Sequence, residues 1–407
     1  MKNKPTIAIA MIIKDEANII KDTLDNLRKY IKDISYFCIS DTGSSDNSIT
    51  IVKDYLKKYH LEGEIYSEKW VDFSTNRNLV LNKCKDKADY ILSWDADDRF
   101  NSEDGIFLDS SKLSADIYSI LTKAPVVENY NKAIPNRDNY IKPLLFRSDI
   151  YAKWIGVIHE ELHFKNTSHE LVHGLISDSN IFFVQAGHFG ARNKDVEAKL
   201  KKDLEVLMEA FERETNPYLK DRYTFYIGTS YCALREVDSA IKWLKSRFYS
   251  NFLVQKGSFE VFCAGYKLAD LYRLKASLHQ SSNFELYKKF NDKAKHIYLI
   301  LKDYFPNIKE PTYQLSIMYS TIYDDFRLAL TFAVEANKIM KNRDRQTILE
   351  FEDQLISNYG IDYQILFSAY KSGNTKIAKD FLRKCEQKPF LDQSFANTLS
   401  NLKSILY

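Results

Sequence analysis

The sequence predicts an α/β domain over residues 1–195, built on a mostly parallel, mixed sheet, and an all-α, helical-repeat domain over residues 196–407. Three observations predict this. Short β-rich apolar runs alternate with amphipathic helical patterns through the first hundred residues, the β-α-β order that gives a parallel sheet with helices on both faces. Strand patterns end after residue 193, and helix follows helix from there. Tyr and Phe are plentiful (27 and 25) while Gly and Pro are few (12 and 8), a balance that favours helices with aromatic packing over an all-β chain.

Each element has its own signal. Residues 6–13 (TIAIAMII) are long enough for one buried strand. Within 16–30, Ile19, Ile20, Leu24 and Leu27 share one helical face. Residues 35–40 read as strand. Residues 46–59 carry Ile49, Ile51, Val52, Tyr55 and Leu56 as a second helix, opened by Ser45 or Asp46 as a cap. Residues 64–67 are a short strand, 73–84 a helix, and 89–94 the strand before a carboxylate cluster. Strand-like stretches at 116–122, 141–147, 155–163 and 180–186 extend the sheet, with a polar loop over 128–138; this region is expected to close one side of the site and help select an acceptor. A helix over 193–212 gives way at Asn216-Pro217. Beyond it, Gly228 with Ala240 and Leu244, and Ser316 with Ala329, Phe332 and Ala333, put small residues where paired helices can approach closely. The spacing resembles tetratricopeptide-like helix pairs; a plain helical bundle is the alternative.

Composition narrows the classes. A hydrophobic fraction of 45% and a charged fraction of 28% are ordinary for a soluble globular protein. A net charge of +3 is too small for a polyanion-coating protein, so no nucleic-acid partner is expected. The five cysteines are scattered, odd in number and without a CxxC pair, which argues for free thiols in a reducing, cytoplasmic compartment rather than a zinc site or disulfide framework. The first apolar run meets Lys14-Asp15-Glu16 with no small-residue cleavage site, so it reads as a strand and not a signal segment. No run of 18 apolar residues exists, so no transmembrane helix is expected.

The chemistry concentrates after the strands. Tyr90-Ile91-Leu92-Ser93-Trp94 runs into Asp95, Asp97 and Asp98. Unpaired carboxylates are costly to bury, so such a cluster belongs at the carboxyl end of a strand, where parallel sheets bind ligands. There it can hold a hard cation, Mg2+ or Mn2+; an Asp-rich turn or helix cap uses the same residue types. Asp41-Thr42-Gly43-Ser44-Ser45-Asp46 follows the second strand, and Asp41 can accept hydrogen bonds from a nucleobase or ribose. A simple β-to-α loop has this composition too. Trp70 and Phe73 read as core, Asp72 as a cap, and Arg77 could reach a base or phosphate. In His159-Glu160-Glu161 a carboxylate could serve as general base, and His159 as a metal ligand, an acceptor contact or a strand residue. His188, ending the last strand, could supply a nitrogen ligand to a metal. Each of these residues, taken singly, is as readily structural.

Taken together, Lys14-Asp15-Glu16, Asp41 to Asp46, Asp72-Phe73 with Arg77-Asn78, Asp95-Ala96-Asp97-Asp98, His159-Glu160 and His188 make a series that resembles family 2 glycosyltransferases of the Rossmann-like GT-A fold. The tryptophan, Asp-Phe and Arg-Asn before the aspartates resemble the branch containing bacterial lipopolysaccharide-core glucosyltransferases and bacteriocin S-glycosyltransferases. The latter carry a helical repeat domain behind the catalytic one. The resemblance covers residues 5 to about 195 by motif and the remainder by architecture alone. It implies that Glu16 lies near the nucleotide, that Asp41 contacts the base, and that Arg77 contacts base or phosphate. It implies Asp97 as the direct ligand of Mn2+ or Mg2+, Asp95 toward the ribose and metal waters, Asp98 on the donor-sugar side, and His188 at the metal. The base falls at Glu160 or Glu161. Many relatives have Glu-Asp where this chain has His-Glu-Glu, so the base stays open between the neighbours.

The implied activity is inverting transfer of a sugar from a nucleotide-diphosphate donor, a UDP-sugar with UDP-glucose favoured, to a glycan, lipid-linked or protein/peptide acceptor. A rival reading is a nucleotide-sugar-binding scaffold whose helical domain binds a protein partner; the intact aspartates, Asp41 and Arg77 speak against such decay. A nucleotidyltransferase is a third, but that class usually has a Gly-rich loop where this chain has Lys14-Asp15-Glu16. The helical half could present an acceptor, mediate self-association or buttress the catalytic part.

Overall fold

The computed structural model describes residues 4–102, 107–123, 140–165, 168–176, 182–185, 195–250, 258–342, 353, 355–389 and 393–407. The chain forms two compact units. The first takes in residues 1–126 and 138–223, and the second runs from Thr224 to Tyr407 together with residues 127–137.

The first unit opens as β1 (Ile7–Ile13), α1 (Ile20–Tyr30), β2 (Ile34–Asp41), α2 (Ser48–Lys58), β3 (Gly63–Ser67), α3 (Phe73–Cys84) and β4 (Tyr90–Asp95). It continues through β5 (Arg99–Ser102), β6 (Ile117–Lys123), β7 (Tyr140–Arg147), a hairpin of β8 (Tyr151–Ile155) and β9 (Glu161–Lys165), then β10 (His173–Ile176), β11 (Phe182–Gln185) and α4 (Val196–Arg213). Its nine-stranded sheet has the order β3-β2-β1-β4-β7-β6-β11-β5, with β10 also on β6. β1 is central and apolar on both faces. Ile7, Ile9 and Met11 join the core that takes Ile20, Leu24 and Leu27 of α1, while Ala8 and Ala10 face Val80, Leu81 and Cys84 of α3.

Register places the functional edge. β1 pairs in parallel with β2 and β4, setting Ile13 beside Asp41 and Ile12 beside Asp95. The two aspartates therefore end strands on either side of β1, roughly 10 Å apart by strand spacing. β7 runs antiparallel to β4 and pairs from Tyr90–Arg147 to Leu92–Leu145.

The expected α/β architecture is the one observed. The stretch 155–163 differs: its ends are strand, at Ile155 of β8 and in β9 from Glu161, but 156–160 between them is a turn. Ile155, Val157 and Ile158 give it a strand-like composition, but Gly156 (φ +92°) and His159 (φ +52°) take the left-handed region and reverse the chain. β5 and β10 carry no period long enough to announce themselves. The polar loop over 128–138 lies outside the described residues.

The second unit is helical. α5 (Pro217–Ala233) enters it at Thr224, and α6 (Val237–Tyr249), α7 (Phe259–His279), α8 (Phe284–Tyr304), α9 (Lys309–Thr321) and α10 (Phe326–Asn342) follow. A π-helical turn (Ile356–Gly360) leads into α11 (Ile361–Lys371), before α12 (Thr375–Glu386) and α13 (Gln393–Leu406). The small residues singled out above are contact points. A Cβ on Gly228 would meet Leu244 Cγ at 2.7 Å, and Ser316 Oγ donates to the Ala329 carbonyl at 2.6 Å. Among the described residues no helix is long and apolar enough to cross a membrane.

Candidate active site

The loops after β1 and β2 hold one another. Asp15, at φ +55°, accepts from the Ser45 N–H (2.7 Å) and hydroxyl (3.0 Å), and its own N–H donates to Ser44 Oγ (2.9 Å). The Ser45 N–H first, then its hydroxyl, holds the Asp15 carboxyl below the usual range. The Glu16 N–H donates to Ser48 Oγ at 2.8 Å, and the Ala17 N–H to Asp46 at 3.0 Å. Asp41 is buried, and its carboxylate accepts from the N–H groups of Gly43 (3.1 Å) and Ser44 (3.1 Å). It shapes the turn in which Gly43 takes φ +101°.

The turn carrying the aspartates is pinned from α1. Thr23 Oγ1 donates to the Ala96 carbonyl, and Asn26 exchanges two hydrogen bonds with the backbone of Phe100 (3.0 and 2.8 Å). Beneath it Trp94 stacks on Phe100 at 4.3 Å. Arg99 ties the turn to the start of α1, donating to the carbonyls of Asp98 (2.8 Å), Ala96 (3.2 Å) and Ile19 (3.2 Å). Burial depresses this guanidinium, against the pull of Asp22, Asp97, Asp98 and Glu16. Asp98 is buried within the turn, its N–H donating to the Asp95 carbonyl at 3.1 Å, and Asp97 is half-buried.

α3 brings the second arginine. Asp72 caps the helix, accepting from the Thr75 N–H at 2.7 Å, as its place before Phe73 suggests. Trp70 is not core: it is 38% exposed and meets Phe73 edge-on at 4.9 Å, because it sits in the loop before the cap rather than on the buried helix face. Asn76 closes that loop, accepting from the Val71 N–H and donating to the Lys69 carbonyl. Arg77 is buried. Its Nε donates to Glu160 Oε1 (2.7 Å), its Nη2 to Asp95 Oδ1 (2.5 Å), and its guanidinium lies 5.0 Å from the Trp154 ring centre. Lys142 Nζ stands 3.8 Å from the other Asp95 oxygen. Burial pushes the Asp95 carboxyl up, but Arg77 and then Lys142 outweigh it and hold it below the usual range. Burial likewise works against the Arg77 charge; Asp95 and Glu160 more than compensate and raise it.

The β8–β9 turn delivers Glu160. Asn78 locks β8 from the α3 side by a reciprocal pair with the Trp154 backbone, 2.8 Å each way. The neighbours of Glu160 go elsewhere. Glu161 accepts from Tyr218 Oη at 2.5 Å and lies 3.6 Å from Arg222 Nη1 and 3.4 Å from His163 Nε2. His159 is exposed, and its carbonyl accepts from Arg222 at 3.1 Å. The structure therefore joins Arg77, Asp95 and Glu160 directly, and separates Glu161 and His159 from them. His188 lies outside the described residues. Lys142, Arg99 and Asn26 had no signal in the sequence, since their partners are 47 to 80 positions away or on another element's backbone.

Among the described residues no group of three or more His, Cys, Asp or Glu side chains is gathered to hold a metal.

Fold and site together define an α/β domain with a largely parallel sheet, at whose carboxyl edge Asp95 is held by Arg77. Residues 8–104 match the family model for Glycosyl transferase family 2, so the first unit contains a glycosyltransferase domain of that family. No curated protein sequence matches the chain. Among solved structures, TarS 1–349 of S. aureus in complex with UDP-GlcNAc is 12% identical over 72% of this chain and 92% of that one, with a TM-score of 0.34. A thermophilic TPR protein of Thermus thermophilus is 11% identical over 51% of this chain and 92% of its own, with a TM-score of 0.33. Likenesses this distant carry no inference about activity.

Proposed function

We propose that the first unit transfers a sugar, with inversion, from a nucleotide-diphosphate donor to a nucleophilic group of an acceptor. The observation that carries this reading is the Arg77 bridge, which sets a strand-end aspartate of the family-matched segment beside a carboxylate from a distant hairpin. The donor class is a UDP-sugar, UDP-glucose first; the acceptor is a glycan, a lipid-linked saccharide or a protein/peptide.

The residues divide the work. Asp41 and the loop it shapes, laced to Glu16, would receive the base and ribose. Asp97, with Asp95 as a second oxygen donor, would hold Mn2+ or Mg2+, which when bound offsets charge on the departing diphosphate. Asp98, buried in the same turn, would fix the donor-sugar side. Glu160 would take the acceptor's proton as it attacks the anomeric carbon, which has oxocarbenium character in such transfers. Arg77 orients the Glu160 carboxylate through its 2.7 Å hydrogen bond to Oε1. Glu161 is occupied by Tyr218 and Arg222, which supports Glu160 over its neighbour. Five free thiols, three of them buried, support a reducing, cytoplasmic compartment.

Calorimetric titration with a panel of UDP-sugars and Mn2+, followed by transfer and hydrolysis assays, tests the reading. Asp97→Asn is expected to abolish metal-dependent transfer; unchanged transfer sinks the assignment. A folded wild-type protein that binds no nucleotide sugar favours the scaffold reading instead.

A further inference from the structure

The turn that carries Glu160 is closed by the Ile155–Glu161 pairing of its own hairpin and braced from outside it. It contains two left-handed residues, and the one at His159 costs roughly 1 kcal/mol because that residue has a Cβ. The turn is held from α5. Tyr218, Leu219, Arg222 and Tyr223 recur at a spacing that places them on one face of that helix. Tyr223 Oη accepts from the Val157 N–H at 3.2 Å. Arg222 Nη2 donates to the His159 carbonyl at 3.1 Å. Tyr218 Oη donates to Glu161 at 2.5 Å, and Leu219 packs 3.8 Å from where a Cβ on Gly156 would lie. The residues on both sides of Glu160 are thus gripped, while Glu160 itself is left to point at Arg77.

We propose that Arg222 and Tyr223 are positioning residues for the transfer step: they fix the 156–161 turn so that the Glu160 carboxylate meets Arg77 and the incoming acceptor. This rests on the role given to Glu160 above. Neither residue is among those assigned to the donor above, so their loss should act on the chemical step and not on donor binding. A misplacement of about 1 Å at a reacting group can cost up to ~100-fold in rate.

The test uses the full chain. Tyr223→Phe and Arg222→Met are expected to lower kcat by roughly tenfold or more while the KM for the nucleotide sugar stays within about twofold. Arg222→Lys, which keeps a donor, is expected to recover part of the loss. In a Glu160→Gln background neither change should lower the residual rate further. Hydrogen exchange over residues 156–161 should quicken in both single variants. Unchanged kcat in folded variants overturns the proposal, and so do losses that multiply with Glu160→Gln. If the wild-type protein transfers no sugar at all, the reading of Glu160 fails first. Exchange over 156–161 then still decides whether α5 holds the turn, and an unchanged rate overturns that grip.

Discussion

Replacing Arg77 with Met would leave two inward-facing carboxylates without their shared cation. Arg77 makes two charge-assisted hydrogen bonds, at 2.7 and 2.5 Å, and its guanidinium faces the Trp154 ring. Removing one partner of a fully buried pair costs about 3–5 kcal/mol. The Glu160 side chain is 12% exposed, close to that limit, but the Asp95 side chain is 32% exposed, so water screens part of its share. Met recovers the packing of the aliphatic stem and loses the cation–ring contact, worth about 0.5–1 kcal/mol. The net expectation is a loss of about 2–4 kcal/mol at pH 7. The pH dependence follows from Asp95. Its carboxyl lies below the usual range in the wild type, so its stabilisation is complete above the unfolded value of about 4 and is lost as pH falls through the lower folded value. Without Arg77, burial is opposed by Lys142 alone, the carboxyl rises, and the variant gains relative stability as it takes up a proton on acidification. The gap between the two proteins is therefore widest at pH 7 and narrows toward pH 4 and below. Urea unfolding followed by tryptophan fluorescence reads this out, because Trp70, Trp94 and Trp154 all lie in the first unit. A gap under about 1 kcal/mol, or one equal at pH 7 and pH 4, refutes the assignment of Arg77 as the shared counter-charge.

Asn78→Ala removes both bonds to the Trp154 backbone and should cost about 1–3 kcal/mol in the same unfolding experiment, with faster hydrogen exchange at Trp154; an unchanged exchange rate there counts against a brace between α3 and β8. Glu160→Gln should lower kcat at least a hundredfold, the upper range of general-base contributions being about 10⁴-fold, whereas Glu161→Gln, whose side chain faces α5, should retain most donor affinity and lose less rate; the reverse order would move the base to Glu161.

The parts of the fold legible in the sequence are those governed by local periodicity. β1, β2 and β4 carry apolar runs and α1 and α2 apolar helical periods, and their boundaries fall within a few residues of the patterns. The strand-end positions of Asp41 and Asp95 follow from the same patterns, because a parallel sheet puts every strand's carboxyl end on one edge. The 155–163 stretch misleads because its apolar composition suits a strand, while its conformation is set by two left-handed residues and by contacts from α5. Trp70 misleads for a related reason: a large ring suggests burial, yet the loop before a capped helix leaves it partly in solvent.

What local patterns cannot reveal is how the acidic residues are apportioned among the cations. The Arg77–Glu160 contact joins residues 83 positions apart, and the Arg77–Asp95 contact joins α3 to a strand from the neighbouring βα unit. Adjacent residues entering a strand face opposite sides, so of Glu160 and Glu161 only one can meet Arg77 while the other meets α5. The parity at the start of β9 and the contacts from α5 thus put Glu160 at Arg77 and Glu161 at Tyr218. Arg77 ties Asp95 to Glu160, while Arg99 holds the aspartate turn through the carbonyls of Asp98, Ala96 and Ile19.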